Sequence, residues 1–270
     1  MQPDTRTESL ESLYERCAQE YLAGLTIENH MEATPQATQR KITLCSFELV
    51  MAQRPDVHMF NELLLQYPRP NQRRPGQVCP DNMVVLYDGE LTVEGSYDTP
   101  FQPIAPFWVL EYVSRSNMRK DYEDNMVKYE SQVMVPYFLL FRPDIQEFIL
   151  RRHVGNRYVT VTPDDEGLYH LPEIEIACRL HDGWVRFWFR GEMLPLPGDL
   201  LADLQETRQR LVEVTREAKN AKRRASNALR QRDDARRQAD EDRRGRQAAE
   251  DELTRLRSQL AALNRSAEGK

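Results

Sequence analysis

The chain has 270 residues, 40% of them apolar and 30% charged, with a formal net charge of −6. That charge is uneven: Asp199–Lys270 holds 18 Lys and Arg against 14 Asp and Glu, leaving 19 against 29 in residues 1–198. An acidic globular portion excludes broad, non-specific adhesion to phosphate backbones. No apolar run approaches the roughly 20 residues needed to cross a bilayer, and no basic-then-apolar leader opens the chain. Four scattered cysteines, Cys17, Cys45, Cys79 and Cys178, lack CxxC pairing or histidine partners, so reduced structural thiols and a cytoplasmic setting are expected.

Residues 7–24 space Leu10, Leu13, Tyr14, Cys17, Tyr21 and Leu22 near one face of a helix. Gln36–Gln53, bracketed by Pro35 and Pro55, predicts a second helix. Val57–Tyr67 reads as a strand. Residues 68–77, rich in Pro, Arg and Gly, read as a loop carrying the densest basic cluster of the domain, Arg69, Arg73 and Arg74. Asp81 then stands at the mouth of an apolar strand ending near Tyr87. A second strand, Phe107–Val113, has Glu111 embedded in it. Ser114-Arg115-Ser116-Asn117 supplies cap residues for a helix reaching about Gln132. Pro136–Phe141 is a third apolar strand, followed by short strands at Glu147–Arg152, Arg157–Val161 and Trp184–Arg190. Strand, helix and strand flanked by further strands predict an α/β or α+β domain with a mixed sheet.

After Pro197 and Gly198 the pattern changes. With Leu204 as position a of a heptad, the a series runs Leu204, Leu211, Ala218, Ala225, Arg232, Ala239, Arg246, Leu253, Leu260. The d series includes Val214, Ala221, Ala228, Ala235, Ala249, Leu256 and Leu263, interrupted by Asp242. A seven-residue apolar repeat of this length predicts a coiled coil over residues 198–270, self-associating through 200–264 as a homodimer. A solitary charge-laced helix is the alternative. Residues 1–29 are then a helical extension, and 30–197 the central domain.

Glu111 carries the chemistry. A carboxylate inside Phe-Trp-Val-Leu-Glu-Tyr-Val is costly to bury unless it is paired or bound to a cation. If the strands of Asp81 and Glu111 are neighbours, both carboxylates can converge on Mg²⁺ or Mn²⁺ through hard oxygen ligands. In the following helix, Asp121 and Lys128 are seven residues apart, two α-helical turns, hence on one face. The alternative is a structural Glu111–Lys128 pair bridging strand and helix. The five histidines share no spacing, and the three tryptophans read as core.

Pro80-Asp81 before a Val-rich strand, Leu-Glu111-Tyr-Val-Ser114-Arg-Ser116-Asn, Asp121, Lys128-Tyr129, Val-Pro-Tyr-Phe and Phe-Arg-Pro-Asp follow in order. This series resembles the Uma-type endonuclease family of the PD-(D/E)XK, restriction-endonuclease-like superfamily over residues 30–195. The resemblance implies a restriction-endonuclease-like core flanked by helices, with Asp81 and Glu111 as metal ligands and Asp121 positioning the site. Lys128 would stand in for the strand lysine, since Val113 occupies that lysine's usual place. Many members carry a histidine near residues 36–40, where this chain has Gln36 to Arg40; Glu32 or Glu48 would be the extra acids from that region. Ser114 and Ser116 are expected to cap a helix. The implied activity is metal-dependent hydrolysis of DNA, with Arg69, Arg73 and Arg74 as phosphate contacts. A catalytically inactive scaffold assembling through its tail is the competing class.

Overall fold

The computed structural model describes residues 8–25, 34–114 and 120–267, with side chains as far as 259. Two compact units divide the chain, Met1–Leu200 and Leu201–Lys270.

The first unit is built on a six-stranded mixed sheet. In spatial order it contains β1 (Val57–Asn61), β4 (Asn82–Leu86), β6 (Trp108–Tyr112), β7 (Tyr137–Arg142), β8 (Glu147–Val154) and β9 (Arg157–Thr160). Every neighbouring pair is antiparallel except β6 and β7, which run parallel with Glu111 opposite Leu140. A parallel pair needs a crossover, and the helical segment 120–133 supplies it. All five residues of β6 are buried, because a central strand is covered on both faces. Its side chains alternate: Trp108, Leu110 and Tyr112 join a cluster with Phe47 and Phe187, while Val109 and Val113 join Tyr129, Phe138 and Leu140. Glu111 therefore faces the crossover helix, on a side otherwise apolar.

Helix α1 (Leu10–Ala23) starts where the Ser9 hydroxyl accepts a hydrogen bond from the Ser12 N–H at 3.1 Å. Helix α2 (Thr34–Met51) is fixed by Gln39, fully buried, whose amide pairs with a backbone as a neighbouring strand would. Its Nε2 donates to the Val185 carbonyl at 3.0 Å, and its Oε1 accepts from the Val185 N–H at 2.9 Å. Val185 lies in an antiparallel meander of β10 (Tyr169–Leu171), β11 (Ile176–His181), β12 (Trp184–Phe189) and β13 (Glu192–Met193).

Two expectations need correction. Val57–Tyr67 is not one strand: Glu62 adopts a left-handed φ of 49° and breaks it into β1 and β2 (Leu64–Arg69), which enter different sheets. Residues 68–77 are not a loop either. Gln72–Val78 is β3, the edge of a small sheet with β2 and β5 (Ser96–Asp98). An edge tolerates Pro75, which has no N–H to give a further neighbour. Gly76 is needed because a Cβ there would lie 2.2 Å from the ring of Tyr67, itself buried.

The second unit continues one helix, Pro197–Ala267, 71 residues long. All of its described side chains beyond Leu201 are exposed. Among the described residues no helix is long and apolar enough to cross a membrane.

Candidate active site

Asp81 lies just before β4, and the antiparallel register of β4 with β6 sets Asn82 opposite Leu110. Strand pairing thus carries Asp81 beside the end of β6. Its Oδ2 accepts the Tyr112 backbone N–H at 2.6 Å, and its Oδ1 accepts the Arg40 guanidinium at 3.0 Å. Arg40, from α2, also pairs with Glu62 at 2.5 Å.

Glu111 is 2% exposed and Asp121 4%. Glu111 Oε1 accepts from the Tyr129 hydroxyl at 2.7 Å and from Asn125 Nδ2 at 3.1 Å. The same Asn125 amide donates to Asp121 Oδ1 at 3.3 Å. One amide thereby bridges two carboxylates from strand and helix.

The electrostatics follow from that burial. Loss of solvent pushes the Glu111 carboxyl well above the usual range, and the charges of Asp81 and Asp121 push it further. Burial raises Asp121 to about 7, against the pull of Lys120. Asp81 is also raised by burial, although the Tyr112 N–H and Arg40 oppose the shift. Burial works against the Lys120 ammonium, but attraction to Glu111 and Asp121 outweighs it and holds this group above its ordinary value. Burial, then the Glu111 charge, lifts the Cys79 thiol to about 12.

Three crowded carboxylates in a medium of low polarity favour either protons or a cation. Buried Asn125 Oδ1 has no hydrogen-bond partner among the described residues, so one oxygen acceptor beside the acids is unsatisfied. Among the described residues no three of His, Cys, Asp and Glu stand together as a complete ligand set. Mg²⁺ commonly binds through one or two carboxylates and keeps several waters, so Asp81 and Glu111 fit it by chemical type.

The structure brings together Asp81, Glu111 and Asp121. Lys128 makes no ion pair with Glu111 among the described residues, and burial followed by the charge of Lys120 lowers its pKa against the pull of Asp124 and Glu111. The reason is helical pitch. The crossover helix is π-wound over Lys120–Asn125 and Tyr129–Val133, around one α-helical turn at Met126–Lys128. A π turn takes about 4.4 residues instead of 3.6, so steps of four, not seven, stay on one face. Asn125 and Tyr129 consequently occupy the face that α-helical spacing assigns to Lys128. Arg40, Lys120 and Asn125 are the residues that sequence reasoning missed. The repeat Asp121, Asn125, Tyr129 was the available signal.

The expected phosphate contacts sit on the β2–β3 hairpin. Arg74 pairs with Glu20 of α1 at 2.5 Å, Arg73 donates to the Glu8 carbonyl, and Arg69 Nε donates to the Arg74 carbonyl at 3.4 Å. Glu48 is exposed. Glu32, Arg115, Ser116 and Asn117 lie outside the described residues.

A mixed sheet whose parallel pair and crossover helix enclose buried acids defines the class, a restriction-endonuclease-like α+β protein. The chain belongs to the Uma2 family, described as "Putative restriction endonuclease", whose sequence pattern matches residues 7–180. It is also similar to the crystal structure of a "putative nuclease belonging to DUF820" from Anabaena variabilis. There the identity is 17%, the TM-score 0.41, and the match covers 53% of this chain and 75% of that one. No curated protein matches the sequence.

Proposed function

We propose that the protein is a Mg²⁺- or Mn²⁺-dependent endonuclease that hydrolyses DNA phosphodiester bonds in the cytoplasm. The observation that carries this reading is Glu111, a fully enclosed carboxylate on a central strand with Asp81 and Asp121 beside it. Asp81 and Glu111 would hold the metal, with Asn125 Oδ1 as a further oxygen. The bound ion would supply Lewis acidity toward the phosphodiester and a water of lowered pKa. Tyr129 and Asn125 orient Glu111 through the hydrogen bonds described above. Lys120, exposed yet kept charged by the acids, stabilises negative charge on the phosphate. Arg69, Arg73 and Arg74 are the proposed phosphate contacts. A −10 balance over residues 1–198 confines such contacts to local basic groups.

Calorimetric titration with Mg²⁺ and Mn²⁺, paired with nicking of supercoiled DNA, tests the reading. Glu111→Gln keeps the size and an acceptor for Tyr129 but removes the charge. The natural protein is expected to bind metal and cut, and the variant to lose both by about 100-fold or more. Absence of metal binding in the natural protein would instead support a scaffold on a nuclease fold.

A further inference from the structure

We infer that the tail pairs with a second copy of the same chain as a parallel, in-register coiled coil. This inference rests on the tail alone and does not depend on the nuclease reading.

The helix Pro197–Ala267 would be about 105 Å long at 1.5 Å per residue, and none of its described side chains beyond Leu201 is buried. Most of its large apolar groups fall on the heptad seam, with Leu229 flanking it at e and Val212 outside it at b. Leu204, Leu211 and Val214 lie near one end and Leu253 and Leu256 near the other, all about half exposed or more. A seam of this kind is stable only against another helix.

Charges flanking the seam select the partner and its direction. In a parallel dimer each g residue faces the e residue five positions later on the other chain. With Leu204 at a, those contacts pair Asp203 with the partner's Arg208, Glu217 with the partner's Lys222, and Glu252 with the partner's Arg257. Each occurs twice by symmetry, and no g–e contact from Asp203 to Arg257 sets like charges together. The antiparallel arrangement that overlays the Leu-rich ends brings e against e and g against g. It opposes Arg208 to the partner's Arg257, Lys222 to the partner's Arg243, and Glu217 to the partner's Glu252. Three attractions thus become three repulsions. Because the favourable set is complementary to itself, the occupant is another copy of this chain.

Glu217→Lys separates the arrangements by sign. It sets Lys against Lys222 in the parallel dimer but relieves Glu217 against Glu252 in the antiparallel one. Within the helix it creates a favourable Glu213-to-Lys pair at i,i+4, so the helix itself is not weakened. Sedimentation equilibrium of the full chain should show a dimer whose dissociation constant rises about tenfold in Glu217→Lys. Glu217→Lys combined with Lys222→Glu should return it to within about threefold. A monomer at every concentration, an unchanged constant, or a tighter dimer in Glu217→Lys would each overturn the inference.

Discussion

Replacing Asp121 by Asn should stabilise the metal-free protein at neutral pH while weakening its response to metal. Asp121 is 4% exposed, and its carboxyl is raised from 3.8 to about 7, so the folded state resists ionising it. A raised carboxyl favours the folded state below the unfolded pKa, and that advantage is lost as pH climbs from about 4 through about 7. The displacement corresponds to about 4 kcal/mol at about 1.4 kcal/mol per pH unit. Asn keeps an oxygen for the Asn125 amide, now at 3.3 Å, but has no charge to bury. Thermal unfolding with chelator at pH 8 should therefore show Asp121→Asn melting higher by up to about 8–16 °C, given about 2–4 °C per kcal/mol for a domain of this size. At pH 4 the two proteins should melt within about 2 °C of each other. Adding Mg²⁺ at pH 8 should raise the melting temperature of both proteins, and the variant's by less, since it loses one negative charge beside the proposed ligands. Equal effects of the substitution at both pH values, or a lower melting point at pH 8, would refute an acid cluster held together at the expense of stability.

Lys120→Ala should lower DNA cleavage by about 100-fold in single-turnover assays, whereas Lys128→Ala should change it less than about threefold, because attraction to the acids outweighs burial at Lys120, while at Lys128 burial and the Lys120 charge outweigh Asp124 and Glu111. Gly76→Ala should cost about 2 kcal/mol or more in urea unfolding, since its Cβ meets the enclosed Tyr67 ring at 2.2 Å. Tyr129→Phe should cost about 1–2 kcal/mol in the same assay, with the Glu111 oxygen left on the Asn125 amide alone.

Much of the site was legible because a buried charge is expensive. Glu111 stands out in its apolar strand by that cost alone, and Asp81 by its place at a strand mouth. Asp121 was found as well, but its companions were not, since seven-residue spacing assumes α-helical pitch and the crossover helix is π-wound on both sides of a single α turn. Arg40 could not be read because its role depends on α2 lying beside β4 and β6, a tertiary fact. The hairpin was missed for a different reason. Pro75 and Gly76 have loop composition, and only an edge position with a ring packed over the glycine makes them a strand. Strands β5 and β10, three residues each, are too short for any alternation to register.

Gln39 acts as an alignment pin. Because its amide bonds both the N–H and the carbonyl of Val185, sliding or rotating α2 against the meander would break two buried hydrogen bonds. The next residue is Arg40, whose guanidinium holds Asp81. Two successive residues therefore tie the position of β12, a strand that contributes no acid, to the Asp81 carboxylate of the candidate site. A substitution that shifts β11 or β12 by a fraction of an ångström displaces Arg40 with it, so mutational sensitivity should extend into a sheet that lends the candidate site no acid.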